Sequence, residues 1–164
     1  MPQDDVYHLE YVWNVEGPID VVFYYIGHAT TFPKWWKPVF LDGKSEDKEP
    51  YIGAKATVRV KSILPYVLDW DLVVTKLEPP RMIELDSHVI LSNRFELTGS
   101  ILYVLEQVGP IVKITSEQYM RPKRPIPKFL RPIAGSLFRF NHHWAMRYGE
   151  KGLQQVVRES EATL

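Results

Sequence analysis

Two adjacent histidines, His142 and His143, are the residues of this chain best suited by type to acid–base chemistry. An unperturbed imidazole titrates near neutral pH, so either ring has the chemistry of a general base. On a helix the two side chains point about 100° apart, and both lie off the apolar stripe of Phe140, Trp144 and Tyr148. The spacing therefore favours an ordinary surface position for the pair, and His143 is retained as a candidate catalytic residue.

His88 and Tyr103 are the other two candidate catalytic residues, because each lies in a strongly apolar stretch that does not assign its side chain to one face. Asp69 and Asp71 flank Trp70 and project to the same side of a predicted strand, as a catalytic carboxylate pair would. Their side is opposite to the apolar one. We therefore predict that both carboxylates lie on a solvated outer face.

Sequence motifs for other kinds of catalysis are absent. The chain has no cysteine, which excludes thiol chemistry and disulfides. It has no Gly-rich phosphate loop, no G-x-S-x-G motif and no histidine–carboxylate spacing typical of a zinc site. We expect neither a metal nor a cofactor, and acid–base chemistry from Tyr, His or Glu in an apolar pocket is the only enzymatic mechanism left open.

The composition is that of a globular domain with an unusual number of aromatic residues. A chain of 164 residues buries about two-thirds of its unfolded surface without disulfides or metals, so we predict a single domain over residues 1–164. Five Trp, nine Tyr and seven Phe indicate either a heavy aromatic core or the lining of a cavity for a flat, apolar molecule. Twenty basic and twenty acidic residues cancel, which argues against nucleic-acid binding.

The sequence carries no recognisable targeting segment. Its first ten residues, MPQDDVYHLE, lack the basic and then apolar layout of a secretory signal. No stretch approaches the roughly 18 to 20 apolar residues of a membrane-spanning helix. Together with the lack of cysteine, these features predict a cytoplasmic location.

Alternating apolar and polar residues predict an antiparallel sheet that precedes one long helix. The predicted strands cover residues 7–15, 53–64, 66–77, 81–91, 95–108 and 112–121. Two short helices, over 18–28 and 30–38, follow the first strand, and each begins near a proline. We predict a loop or edge hairpin over 43–50, a turn at Ser92-Asn93 and a bulge at Gly99-Ser100.

The longest helical pattern covers residues 132–157, and we expect the sheet to surround this helix. One helix face carries large apolar residues at three- and four-residue steps, namely Ile133, Leu137, Phe140, Trp144 and Tyr148. Because this face needs a wide apolar partner, we predict that it packs against a concave sheet and leaves a pocket between helix and sheet. The predicted fold class is therefore α+β.

Tryptophans from three predicted elements, Trp36, Trp70 and Trp144, are the side chains around which a pocket would form. They could equally pack as core, but as pocket walls they offer flat apolar surface suited to an aromatic or polycyclic ligand. Polar residues that alternate with apolar lining positions would orient that ligand. The predicted ligand-binding residues are Trp36, Val58, Val60, Leu68, Trp70, Leu72, Phe95, Leu97, Ser116, Gln118, Asn141, Trp144 and Tyr148.

Residues 121–132, RPKRPIPKFLRP, form the clearest charge asymmetry, with five basic residues, four prolines and no acidic residue. One interpretation is a stiff solvated connector, because proline continues neither a strand nor a helix. The alternative is a transient contact with an anionic membrane, in which Phe129 and Leu130 touch the bilayer and each base adds about 1 kcal/mol.

Short motifs near both ends of the chain resemble those of a known superfamily. They are WNV at 13–15, GPIDVVF at 17–23, FPKWW at 32–36 and FNHHW at 140–144, followed by Arg147, Gly149-Glu150 and Gly152-Leu153. Over nearly the whole chain, the sequence resembles the START-like helix-grip superfamily, also called SRPBCC, in its polyketide cyclase/dehydrase and lipid-transport branch.

The resemblance implies a helix-grip fold, in which a curved antiparallel sheet wraps around a long C-terminal helix and holds a hydrophobic or amphipathic ligand. It leaves two classes of function open. The first is a carrier or binding protein for a polyketide-, lipid- or polycyclic-like molecule, in biosynthesis or transport. The second is a cyclase, aromatase or dehydratase that uses acid–base residues in the cavity. A buried ionisable cluster would favour the enzyme, and an apolar pocket would favour the carrier.

Overall fold

The computed structural model describes residues 6–63, 65, 67–92 and 95–163, and of Leu91 and Ser92 it describes only the backbone. The strands and helices within these residues are β1 (Tyr7–Glu16), α1 (Ile19–Gly27), α2 (Phe32–Trp35), β2 (Phe40–Lys44), β3 (Lys55–Lys61), β4 (Val67–Glu78), β5 (Met82–Ser92), β6 (Phe95–Val108), β7 (Ile111–Pro122) and α3 (Arg131–Ala162). A single 3₁₀ turn, Ala29–Thr31, leads into α2. No helix in this described part of the chain is both long and apolar enough to cross a membrane.

The strands form one antiparallel sheet in the order β1-β7-β6-β5-β4-β3-β2. Consecutive strands pair from β2 to β7, and β1 pairs with β7, where Val15 lies opposite Val112. The sheet curls into a half-barrel around α3. The predicted α+β helix-grip fold is confirmed, with its curved antiparallel sheet, long C-terminal helix and two short helices after the first strand.

Alternation along the strands decides which side chains are buried. In β1, Leu9, Trp13 and Val15 are buried, while the polar residues between them are exposed. The same alternation holds in β3, β4 and β7. Asp69 and Asp71 lie on the exposed outer face, as predicted. The core therefore occupies the concave side of the sheet, between the strands and α3.

The bulge predicted at Gly99-Ser100 is wrong. Pairing between β6 and β7 is continuous from Leu97 to Val108. Gly99 instead allows the backbone of β7 to lie close to it, because a Cβ at this position would lie 1.7 Å from the carbonyl oxygen of Tyr119. The predicted turn at Ser92-Asn93 includes residue 93, which lies outside the described residues. The edge strand β2 (Phe40–Lys44) includes the first two residues of the segment 43–50, which was predicted as a loop or edge hairpin.

The helix α3 presents to solvent the face that the sequence predicted to be buried. Phe140, Ile133 and Leu137 are 61%, 57% and 41% exposed, and Tyr148 is exposed as well. The opposite face is the buried one, through Gly135, Met146, Gly149, Leu153, Val156 and Val157. The predicted orientation of α3 is therefore wrong, although its position against the sheet is right.

Two tryptophans hold α3 in this orientation. The indole N–H of Trp13 donates to the carbonyl oxygen of Met146 at 2.8 Å, and that of Trp36 donates to the carbonyl oxygen of Ala145 at 2.8 Å. Both rings lie against Gly149, where a Cβ would be 2.5 Å from the ring of Trp13 and 2.7 Å from that of Trp36. Gly149 therefore lets this face of α3 approach the sheet closely, while Phe140 and Tyr148 remain exposed on the other side.

Candidate functional site

A cavity of about 490 Å³ lies between the concave face of the sheet and the inner face of α3. Small-molecule sites have volumes of about 300 to 1,000 Å³. The fold brings together nine of the predicted ligand-binding residues in its lining, namely Trp36, Val60, Leu68, Trp70, Leu72, Phe95, Leu97, Gln118 and Asn141. That these side chains contact a ligand remains a prediction.

The lining also contains side chains that sequence reasoning did not assign to a site. Among them are Tyr7, Leu9, Phe32, Val39, Phe40, Leu85, Val89, Ile101, Met120, Phe138 and His142. Those on strands lie on the inward side of the alternation and could have been found from it. Phe138 and His142 were missed because the wrong face of α3 was predicted to be buried.

The cavity wall is almost entirely apolar. None of the described residues that line it is Asp, Glu, Lys or Arg. An ionic ligand would therefore lose its hydration without gaining a counter-charge, whereas an apolar ligand gains about 25 cal/mol for each Å² removed from water. The wall selects for a ligand that is mostly apolar.

Aromatic rings form two groups along this wall. In the first, the ring centroids of Tyr7 and Phe138 lie 4.8 Å apart in an edge-on arrangement, and Phe95 stacks with Phe138 at 6.5 Å. In the second, Phe40 and Trp70 are stacked at 6.4 Å. The indole N–H of Trp70 donates to the hydroxyl of Ser87. Because that donor is already satisfied, Trp70 offers the cavity its apolar ring surface.

Tyr103, a candidate catalytic residue, contributes a phenol to the cavity lining. It lies opposite Ser116 in the pairing of β6 with β7. Burial raises the pKa of Tyr103 well above its usual value, and a hydrogen bond with Ser116 opposes this rise only in part. Tyr103 is therefore a neutral phenol at physiological pH, which can hydrogen-bond to a ligand but cannot act as a base.

His142 is the ionisable residue that α3 places in the cavity lining. Burial lowers its pKa to about 4, and the neighbouring His143 contributes a smaller lowering. The ring is thus neutral at pH 7, and its Nε2 is buried without a hydrogen-bond partner among the described residues. An unsatisfied buried polar atom costs about 1 to 3 kcal/mol. A ligand hydroxyl or carbonyl that reaches this nitrogen would remove the cost.

Asn141 joins α3 to the loop that follows β3. Its side-chain oxygen accepts hydrogen bonds from the backbone N–H of Ile63 at 2.9 Å and from the hydroxyl of Ser62 at 3.1 Å. Both Asn141 and Ser62 line the cavity. This contact therefore fixes the separation of sheet and helix at one edge of the cavity.

The remaining predicted site residues lie outside the cavity lining. They are Val58, Ser116, Trp144 and Tyr148 among the predicted ligand-binding residues, and His88 and His143 among the catalytic candidates. Val58 and Ser116 are buried in the sheet. Trp144 is half-buried at the edge of the core, with its ring 5.4 Å from that of the exposed Tyr148. His143 is exposed.

His88 belongs to an ion-pair cluster on the outer face of the sheet. Its Nε2 lies 2.9 Å from Oε2 of Glu96, and the same oxygen lies 2.9 Å from Nζ of Lys123. The hydrogen bond from Lys123, and then that from His88, lower the pKa of Glu96. The cluster stabilises the carboxylate locally and leaves His88 directed away from the cavity.

No protein-family model and no curated protein matches this sequence. Solved structures match it over most of the chain. A START superfamily protein from Mycobacterium smegmatis is 12% identical with a TM-score of 0.67, and the match covers 93% of this chain and 97% of that one. The Zhui aromatase/cyclase from Streptomyces sp. R1128 is 10% identical with a TM-score of 0.71, covering 93% and 94%.

A plant protein has a similar structure. Major latex-like protein 151 from Panax ginseng is 10% identical with a TM-score of 0.59, and the match covers 85% of this chain and 97% of that one. Identities this low show a shared fold without showing shared chemistry. At the level of the fold, the resemblance predicted from the sequence motifs is confirmed.

Proposed function

We propose that this chain, which has the START/SRPBCC-like helix-grip fold, binds a small hydrophobic ligand in the cavity between the sheet and α3. The observation that carries the proposal is an apolar cavity of about 490 Å³ without a charged side chain among its described lining residues. In this proposal the protein is a carrier or binding protein in the biosynthesis or transport of a polyketide-, lipid- or polycyclic-like molecule.

The lining supports a ligand with a flat apolar body and few polar groups. Stacked rings such as Phe40 and Trp70 favour flat surfaces. Tyr103 and His142 are neutral hydrogen-bonding groups. The side-chain nitrogen of Gln118 donates to the sulfur of Met120 at 3.2 Å. Sulfur is a weak acceptor, so a ligand carbonyl would be a better partner for Gln118.

Binding is tested by tryptophan fluorescence, because Trp36 and Trp70 both line the cavity. A fatty acid, a sterol, a carotenoid and a polycyclic aromatic ketone are titrated separately into the protein. We expect saturable quenching by at least one of them, with a Kd of about 1 μM or lower, equivalent to about 8 kcal/mol. A folded protein that shows no saturable response to any of these probes would contradict the proposal.

Filling the cavity provides a second test. Val89 is 3% exposed and lines the cavity, whereas its neighbour Ile90 lies on the opposite face of β5. Val89→Trp is expected to weaken binding of the best probe at least about tenfold, equivalent to about 1.4 kcal/mol, because the indole occupies the ligand's space. Ile90→Trp makes the same strand bulkier on its other face and is expected to leave affinity unchanged.

Isothermal titration calorimetry measures both variants, and thermal melts confirm that both are folded. Equal affinities for the two variants would show that the probe binds somewhere other than this cavity. Weakened binding by Ile90→Trp alone would contradict the proposed site in the same way.

Acid–base catalysis of the cyclase, aromatase or dehydratase type fits the cavity less well. The aromatase/cyclase from Streptomyces shares the fold at 10% identity. A general base works best when its pKa lies near the operating pH, but burial lowers the pKa of His142 to about 4 and raises that of Tyr103. The described lining therefore favours binding over catalysis.

A further inference from the structure

Exposed apolar side chains extend from the loop before α3 along the outward face of its first half. Phe129 is 77% exposed, Phe140 61%, Ile133 57%, Leu137 41% and Leu130 40%. We call these five residues the exposed strip. Its helical members recur at intervals of four and three residues and so share one helix face. A continuous group of large exposed apolar residues is typical of an interaction surface.

The loop presents Phe129 from a hydrogen-bonded turn. The backbone N–H of Leu130 donates to the carbonyl oxygen of Pro127 at 2.9 Å. Ile126, which is 7% exposed, anchors the loop, and the Nε of Arg131 donates to its carbonyl oxygen at 3.1 Å. The exposure of Phe129 is therefore built into the conformation of the loop.

The sequence around the exposed strip is rich in basic residues, of which Lys123 is paired with Glu96. Between Glu117 and Glu150 the sequence has no acidic residue, and its basic residues there are Arg121, Lys123, Arg124, Lys128, Arg131, Arg139 and Arg147. With twenty residues of each sign in the whole chain, the remaining residues carry a formal charge of −7. Lys128 adjoins Phe129 and Arg139 adjoins Phe140, so the positive charge is concentrated where the apolar residues are exposed.

We propose that the exposed strip and its flanking bases form a docking surface for an anionic lipid bilayer. Apolar side chains on an amphipathic surface enter the headgroup region, while lysine and arginine contact anionic headgroups. A second copy of this chain is a poorer occupant, because a symmetric contact would bring the two sets of like charges together.

The proposed docking surface borders the cavity. Leu137 belongs to both, since it is 41% exposed and also lines the cavity. Ala134 and Asn141, on neighbouring turns of α3, line the cavity as well. Docking would therefore place one edge of the cavity at the lipid surface, where a hydrophobic ligand can pass between bilayer and protein without crossing water. Docking of this surface requires no particular ligand in the cavity.

Sedimentation with vesicles tests the proposal. The probes are phosphatidylcholine vesicles with and without about one quarter phosphatidylserine. We expect binding to the anionic vesicles, and a steep loss of it as salt rises, because exposed charges are screened within about 10 Å at 0.1 M salt. Phe129→Gln with Phe140→Gln is expected to weaken this binding at least about tenfold, as is Arg124→Gln with Lys128→Gln.

Matched variants elsewhere on the surface serve as controls. Ile52→Gln with Val108→Gln replaces residues that are 66% and 53% exposed, and Lys48→Gln with Lys55→Gln removes two exposed bases. Both control pairs should bind vesicles like the parent chain, and thermal melts should show all four variants folded. The proposal is overturned by equal pelleting with both vesicle types, by no pelleting, or by equal effects of test and control variants. A dimer that Phe140→Gln dissociates would assign the surface to a second copy and overturn it too.

Discussion

Replacing Gly152 by alanine is expected to lower the free energy of unfolding by about 3 kcal/mol or more, or to prevent folding. A Cβ on Gly152 would lie 1.7 Å from the carbonyl oxygen of Trp35 and 2.8 Å from its carbonyl carbon. The contact is with backbone, so no side chain can rotate to relieve it. Trp35 and Trp36 are each 4% exposed, and their burial prevents the backbone of α2 from moving away.

Whether Gly152→Ala lowers or raises the free energy of unfolding distinguishes an effect of packing from an effect of helix propensity. In an unconstrained helix, glycine to alanine stabilises by about 1 kcal/mol. Gly135 provides the matched control in α3, because a Cβ there would meet its nearest atoms, on Arg139 and Tyr7, at 3.5 Å. We therefore expect Gly135→Ala to be neutral or stabilising. Urea unfolding curves for both variants measure the difference, and a Gly152→Ala protein as stable as the parent chain would contradict the close packing of α3 on α2.

The strands could be predicted because burial in a one-sided sheet leaves a period of two in the sequence. Leu72 and Val74 alternate with exposed or half-buried neighbours in β4. The predicted strand 95–108 has the bounds that the structure gives to β6. Even where apolar residues run continuously, as around Tyr103, the odd-numbered side chains of β6 are the ones directed inward.

The orientation of α3 could not be predicted from the apolar stripe of its first half, although Met146, Leu153 and Val157 in its second half lie on the buried face. The apolar stripe chosen from the sequence contains Phe140, yet this residue is 61% exposed. The buried face is marked by small residues, since Gly149 and Gly152 leave room for Trp13 and for the backbone of Trp35. Small residues at helical spacing, Ala145, Gly149 and Gly152, are present in the sequence. They identify the face where another element approaches closely, which is a steric property that a hydrophobic stripe does not report.

The candidate site was predicted correctly on the sheet and incorrectly on α3. Its sheet residues, such as Trp70 and Leu97, follow from strand alternation and were predicted. Its helix residues, such as Phe138 and His142, depend on the rotation of α3 and were missed. Three apolar residues that the sequence assigned to the buried face, Ile133, Leu137 and Phe140, instead belong to the exposed strip. Because the rotation of α3 was predicted wrongly, the sequence analysis predicted neither the position of His142 in the cavity lining nor the exposed strip on the surface.

His142 should make the stability of this protein depend on pH between about pH 7 and about pH 4. Its pKa falls from 6.5 to about 4 on folding, so the unfolded chain binds a proton that the folded protein rejects. The free energy of unfolding is therefore highest, as far as His142 is concerned, above pH 6.5, and it decreases as the pH falls toward 4. This difference between the folded and unfolded pKa lowers the free energy of unfolding by about 3 kcal/mol in total, of which about 2 kcal/mol is lost between about pH 7 and about pH 5.

His142→Leu removes the titrating ring and fills its site with an apolar side chain. The free energy of unfolding of this variant is expected to change between about pH 7 and about pH 5 by roughly 2 kcal/mol less than that of the parent chain. His143 is exposed and adds only the smaller part of the shift at its neighbour, so His143→Leu should retain most of the pH dependence. Urea unfolding at the two pH values measures all three proteins. Parallel pH dependence in the parent chain and in His142→Leu would mean that the imidazole is not buried in the cavity wall, because burial is the larger cause of its lowered pKa.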